Sequence, residues 1–530
     1  MSRNSQIFQG LQVQKSLILP FAPLPRDITT GNMFMDKPSG DLFVRSSNAE
    51  TLVVGGGSVP QDPNYYVSVN GSDSNLGTIG APFATFRKAF ETATRRGWMN
   101  TCSIRFSPGT FQIGDGQPLN YAVAGGSKTG ALTIYGSSSQ LVAPIAGAGA
   151  VFNPALVQED VNYTPGGLTP GALTGKFLHF LPTSSVYFAD TFHPIVDNTA
   201  NVISVSSLFA QSVTAADRFE VVESTTQLIT DQSFLLVTVD RPIIFRLLKI
   251  DSGAASFNAT ISLVNFQACY LSSTNPGTEG FNFSTARTVF GNLLRLVQDP
   301  SNQMFGDGSV FDGALVNHQF SQISLHSGCY STNSQITFQA SRVVILALHS
   351  QDSFVASASS TGIITVVGFV GERPGQPQLF VSGSSGIDIS QAAFSATTGI
   401  SLLCQNARAN VDSCSFDNCG VGIFGTQSDV FIVNSSLNGC TTPMFFERSC
   451  RVSLDNTTGT NAGATVLTLA SGSNCVATSS VTVTGANDFK VGQNAAVPGP
   501  GGWASLPGAL SAVTSDYATA SPEYCTLQAV

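Results

Sequence analysis

A chain of 530 residues exceeds one ordinary core, since domains run to roughly 100–200 residues, so it holds either about three domains or one elongated repeat. Only 11% of its residues are charged, while Gly numbers 51 and Phe 37; that mixture is poor material for solvated helices and suits short strands parted by tight turns. A net charge of −9 without a basic run argues against nucleic acid as a partner, and the apolar runs are strand-sized, too short for a membrane span.

Residues 1–60 read as a separate N-terminal arm. Pro and Gly interrupt it, two short strands are expected at Asp41–Arg45 and Thr51–Val54, and Gly55 to Gly57 close it. Its apolar patch, Leu17 to Leu19, is too short for the core of an export signal and prolines interrupt it, so conventional secretion is not expected. An arm with so little apolar surface does not fold alone and is expected to dock on a partner or on its own copies.

From residue 61 the pattern sharpens. Tyr65–Val69 reads as a strand and Asn70–Gly77 as a polar loop. Pro82–Arg95 reads as a helix, with Phe83, Phe86, Ala89, Phe90 and Ala93 on one side and Arg87, Lys88, Glu91 and Arg95 on the other. Strands are expected at Ser103–Phe106, Thr110–Ile113 and Ala131–Tyr135, the first two parted by the turn at Pro108-Gly109. Residues 62–113 thus form an opening and cap. Between 140 and 380 good strands occur at Val202–Ser206, Phe234–Val239, Ile261–Phe266, Gln335–Phe338 and Val343–Leu348, without a traceable repeat. That stretch is expected to be the same structure with long loops or an insertion.

The repeat is clearest over 386–475. Ile389–Phe394 aligns with Val411–Phe416, Val433–Leu437 and Leu454–Thr458, at steps of 22, 22 and 21 residues. A second apolar register follows at Ile400, Ile423, Met444 and Val466, with Gly399 and Gly422 ahead of the first two. Two strands per unit, apolar inward and Ser, Thr or Asn outward, describe one coil of a parallel β-helix, with coils about 4.8 Å apart. The shaft is expected over 61–495, with residues 496–530 as a C-terminal tail that caps it or trades contacts between subunits. The column Ser390, Asp412, Asn434 and Asp455 reads as a hydrogen-bonded outer ladder in preference to a calcium or sugar site.

Chemistry-bearing motifs are sparse. Cys404, Cys414, Cys419, Cys440, Cys450 and Cys475 crowd one region without a CxxC pair or nearby His, so they read as buried free thiols, not a zinc site. Sequons at Asn70, Asn162, Asn258, Asn282, Asn434 and Asn456 are what a Ser/Thr-rich chain yields by chance. The best constellation is Glu279, Asp307 and Asp312 with His318 and His326. Its Gly-flanked aspartates look like turns, and a structural role is favoured; two carboxylates about 5–9 Å apart in one groove would reverse that. His179, His193 and His349 are isolated. No catalytic residue, cofactor-binding residue or metal ligand is assigned.

The segments Tyr65–Gly77, Ala81–Ala89 and Ile104–Phe111 together resemble the opening of the pectate-lyase-like right-handed β-helix superfamily, over about fifty residues. The resemblance implies an all-β, right-handed parallel β-helix (solenoid) with an N-terminal capping helix and a separate arm. Members include polysaccharide lyases, glycoside hydrolases, phage tailspikes and virion surface proteins. The hydrolases carry Asp-Asp, Gly-His-Gly and Arg-x-Lys motifs; this chain lacks the first two, and Arg246-Leu-Leu-Lys249 has the wrong spacing. Lyases of the fold need a dense acidic calcium cluster, which is also missing.

The expectation is therefore a structural virion protein, a projecting spike or capsid-associated component. It would be a homotrimer, attached to other capsid or virion proteins through residues 1–60, with host surface polysaccharide as a candidate ligand. The alternatives are a polysaccharide lyase or glycoside hydrolase on the same fold, and a non-catalytic, adhesin-like glycan-binding module.

Overall fold

The computed structural model describes residues 64–95, 102–123, 131–153, 158–291, 307–477 and 482–492 with brief interruptions. Beyond them it places the strands Phe21–Ala22, Met33–Asp36, Leu42–Ser46, Ala49–Val54, Gly502–Ser505 and Cys525–Ala529. The expected arm strands are there as Leu42–Ser46 and Ala49–Val54, paired antiparallel, in a four-stranded sheet separate from the long one.

The shaft is a right-handed parallel β-helix. Most coils have three strands where the sequence suggested two, as in Arg408–Asp412 on face 1, Ser415–Asp417 on face 2 and Val421–Thr426 on face 3, before Asp429–Val433 begins the next coil. In the coils opened by Ile323–Thr332, Val343–Gln351 and Ile364–Glu372 one long strand covers faces 1 and 2, which leaves two. The face 2 strand spans three residues, too few for its alternation to be visible in sequence. Face 1 runs as one parallel ladder from Asn64–Val67 through Cys102–Phe106, Leu132–Tyr135, Pro242–Arg246 and Leu263–Gln267. Further along it passes through Gly386–Ser390 and Arg408–Asp412 to Arg451–Asp455.

Register corrects the sequence alignment at three places. In the second apolar register Leu402, and not Ile400, pairs with Ile423, and Met444 pairs with Leu467, one residue past Val466. Val411 pairs with Ile432 and Ile432 with Leu454, so the steps are 22, 21 and 22, and Val433 stands between Asp412 and Asp455. Asn434 belongs instead to a column of corner residues, Gln391, Ser413, Asn434 and Asn456, all at positive φ (52°, 54°, 49° and 42°). Asn tolerates this left-handed backbone because its short side chain bonds locally: Asn434 donates to Asp412 at 3.0 Å and accepts from Asn456 at 2.8 Å.

A corner bends the backbone and buries the next residue, and at many corners that residue is a small side chain with a hydrogen to give, though Ala392 and Ala407 stand at others. Cys414, Cys419, Cys440 and Cys450 follow Ser413, Asn418, Gly439 and Ser449, all at positive φ. Cys414 Sγ donates to the carbonyls of Asp412 and Ile389, and Ser435 Oγ one coil on donates to Val433 O and accepts the Cys414 N–H at 3.1 Å. Ser and Cys thus do the same work, satisfying backbone groups that the bend exposes in a dry interior. Burial pushes the Cys414 thiol up to about 12, which fits the expected inert thiols.

The lumen is filled by like-on-like columns. Phe245, Phe266 and Phe290 stack in register with centroids 5.3 and 5.0 Å apart. On face 3 the outward column is polar in the middle coils, where Asn258, Asn282 and Asn317 pass amide hydrogen bonds of 3.1 Å from coil to coil.

The α-helix spans Phe86–Arg95, four residues later than Pro82. Asp73 Oδ1 accepts the Ala84 and Thr85 N–H groups, and Thr85 Oγ1 accepts that of Lys88, which makes Thr85 the N-cap. Phe86 and Phe90 stack at 5.3 Å and meet Phe234 edge-on at 6.3 Å.

The insertion anticipated between 140 and 380 is an antiparallel sheet of seven strands, from Ser138–Ala146 to Arg218–Ser224. It leaves face 1 after Tyr135 and returns to face 2 at Thr226, so it stands on the corner between them. Val202–Val205 lies here and not in the shaft. The sheet has its own core around Phe180, Ile195, Phe219 and Val221, and presses Phe177, Phe192, Val196 and Val222 against Ala268, Val310 and Tyr330 of the coils.

Candidate functional site

The expected constellation does not converge. Glu279 lies outside the described residues. Asp307 is buried at the corner under the insertion, with φ 62°, and its Oδ1 accepts the Phe192 N–H at 3.0 Å while Phe192 O accepts its own N–H. It is a docking peg. Asp312, at the end of a face 2 strand, accepts the Tyr270 hydroxyl.

His318 and His326 sit inside the coil as members of the Phe columns. His318 pairs in register with Phe283 and Phe338, with ring centroids at 5.1 and 4.9 Å. His326 follows Phe290 at 4.6 Å. Burial holds His318 well below the usual range and His326 at about 3. His193 is buried in the insertion between the Ser207 and Thr191 hydroxyls, and His349 lies beside Tyr330. Among the described residues no group of three or more His, Cys, Asp or Glu is placed to hold a metal, and no helix is long and apolar enough to cross a membrane.

A charged junction forms where the insertion meets the shaft. In the insertion, His179 faces Phe192 and Glu220 on neighbouring strands, and its ring lies flat on Phe192 with centroids 4.1 Å apart. Its Nδ1 is 3.0 Å from Glu220 Oε1 and its Nε2 is 3.3 Å from Asp190 Oδ1. From face 1 of the shaft, Arg246 donates to Asp190 Oδ2 at 2.9 Å and lies over the Phe192 ring, its guanidinium 5.1 Å from the centroid. Glu223 Oε2 bridges Lys176 of the insertion at 2.6 Å and Lys249 of the shaft at 3.8 Å.

These contacts set the charges. Burial opposes ionisation of Asp190, but hydrogen bonds from His179 and Arg246 outweigh it and hold the carboxyl below its usual range. The Lys176 hydrogen bond likewise lowers Glu223. Burial alone would lower Arg246, yet Asp307 and Asp190 raise it further. The carboxyls that burial raises, Glu159 and Asp417, lie on other elements. Asp190, Glu223 and Arg246 are thus each favoured in their charged forms by the neighbours they touch, and the junction has an open rim: the Asp190 side chain is 48% exposed and that of Lys249 38%. Arg105, exposed two coils below Arg246, lies 5.0 Å from the Tyr135 ring between them.

Sequence reasoning reached Arg246, Lys249 and His179 without their partners, and missed Lys176, Asp190, Glu220 and Glu223. The alternation Arg218-Phe-Glu-Val221 marks a strand with one charged face, but the pairing across the sheet and onto the shaft has no local signature.

No protein family and no curated protein matches the sequence. Solved structures similar in fold include a glycoside hydrolase (10% identity over 88% of this chain and 96% of that one, TM-score 0.23). A tailspike of the Acinetobacter baumannii bacteriophage AP22, in complex with capsular saccharide, is also 10% identical (86% and 76% covered, TM-score 0.25). A rhamnogalacturonan lyase is 10% identical as well (74% and 82% covered, TM-score 0.29). The parallel β-helix rests on the strand register of the chain itself, and likeness at this level says nothing of a superfamily or of what the chain binds or cleaves.

Proposed function

We propose that the chain is a projecting spike of a virus particle, attached through residues 1–60 and assembled from copies of itself as a homotrimer, with a glycan-contacting rim where the inserted sheet meets the shaft. The carrying observation is the junction: a separate sheet pinned on a stiff shaft by buried Asp307, by Arg246 and by Glu223 between two lysines, with Asp190, Lys249 and Arg105 left open to solvent. Charged side chains beside an aromatic ring suit sugar hydroxyls and carboxylates. A glycan panel tests this. Binding of the wild type, weakened about tenfold or more by Lys249→Ala, or by Arg105→Ala, is expected, about 1.4 kcal/mol or more; binding unaffected by either change would remove the rim from the reading.

One observation favours a second reading, a polysaccharide lyase or glycosidase: the carboxylates of Asp190 and Glu220 flank a single imidazole. Reducing-sugar release or absorbance of unsaturated products, abolished by Glu220→Gln with binding retained, would replace the spike reading with the enzymatic one.

A further inference from the structure

The three faces of the shaft differ in charge. Face 1 carries Arg246, Arg287, Asp388, Arg408, Asp412 and Arg451, and face 2 carries Lys249, Asp251, Asp312 and Asp417. The strands of face 3 hold no Asp, Glu, Lys or Arg from Leu119–Val123 through Val421–Thr426; the first charge is Glu447, at the end of the next strand. Beyond the Asn ladder the outward column of this face turns apolar. Phe380, Leu403, Phe424 and Phe445 follow one another in register, all half-buried, and the last two rings stack at 5.2 Å and 2°.

We propose that face 3 is the surface through which copies of this chain pack side by side with shafts parallel, an assignment that rests on the homo-oligomer reading above and locates it. Two observations select a second copy as the occupant. Parallel copies joined about an axis along the shaft bring each residue to the height of its own counterpart, so face 1 would set Asp388 toward Asp388 and Arg408 toward Arg408. On face 3 of a chain with net charge −9 no like charges meet until Glu447. The coil is also three-sided, and the insertion stands on the corner between faces 1 and 2, opposite face 3. Association through face 3 keeps every inserted sheet on the outside.

The test compares mass in solution by light scattering with that of Leu403→Lys/Phe424→Lys, using Asp412→Lys on face 1 as a control. The wild type and the control are expected at a multiple of 55.3 kDa, and the double variant at 55.3 kDa with an unchanged far-ultraviolet spectrum. A wild type that stays monomeric at high concentration overturns both the oligomer reading and this one. An oligomeric double variant overturns only the choice of face.

Should the double variant not fold, Thr442→Cys, half-buried on the same face, replaces it. Its maleimide labelling rate should drop at least tenfold between dilute monomer and concentrated oligomer, while Asp412→Cys labels equally in both. Equal rates for Thr442→Cys would sink the assignment, as would a neutral polysaccharide that protects it in the monomer.

Discussion

The corner between faces 1 and 2 is built twice from different residues. Along the bare coils it is turned by Gln391, Ser413, Asn434 and Asn456, exposed and polar; beneath the insertion it is turned by Leu247, Ala268 and Asp307, at φ 54°, 50° and 62°. The backbone requirement is the same, and each left-handed residue costs roughly 1–2 kcal/mol unless it is Gly or finds local bonds, as Asn and Asp do. Asn434 finds them in its neighbours one coil away, whereas Leu247 and Ala268 are offset by apolar burial against Phe177, Phe192 and Val222. Solvent and cover, and not the coil itself, decide which residue stands at the bend.

The largest expected effect comes from removing the peg that joins the two regions. Asp307→Ala leaves Arg246 buried with one anionic partner fewer and the Phe192 N–H without its acceptor, a loss of about 3 kcal/mol by analogy with broken buried charge pairs. Limited proteolysis should then cut within 138–224 while the coils after 386 persist. Equal resistance in both regions would separate Asp307 from docking.

Acid provides the next probe. His326 at about 3 and His349 at about 4 lie below the 6.5 of an unfolded His, so the unfolded state takes up the proton first. Stability is full above pH 6.5 and falls by about 1.4 kcal/mol per pH unit for each residue down to its folded value. In His326→Phe the difference from wild type, followed by denaturant melts at pH 7.5 and pH 5, should shift in favour of the variant by about 2 kcal/mol at the lower pH. A shift absent between the two pH values would mean that His326 is reached by solvent.

Swapping corner residues sharpens the comparison further. Leu247→Asn buries an amide under the insertion and should cost about 1–3 kcal/mol; Asn434→Leu on the bare corner should cost about 1–2 kcal/mol, and Asn434→Gly less. The smallest change is Cys414→Ser, under about 1 kcal/mol because Ser reproduces both donations, whereas Cys414→Val leaves the freed carbonyls unmet and costs about 1–3 kcal/mol.

The same contrast explains what could be read from sequence. Where the corner faces water, Asn and Ser recur beside buried Cys or Ser, and the coils after residue 386 were visible at a step of about twenty-two. Asn434 led the alignment astray by one position because it resembles the aspartates next to it while occupying the bend. Beneath the insertion Leu and Ala replace the polar markers and His replaces Phe in the lumen, so the coils from 242 to 351 hid their repeat. The charged junction was illegible for a further reason: Asp190 and Arg246 lie 56 residues apart, joined only by a sheet folding back on a corner.

The central claim is that one unbroken parallel ladder runs beneath the insertion and beyond it. Hydrogen exchange read by mass spectrometry tests it most directly. Comparable slow exchange is predicted in Pro242–Arg246, Val343–Gln351 and Arg451–Asp455. Fast exchange confined to Val343–Gln351, with protection on both sides, would contradict a continuous shaft.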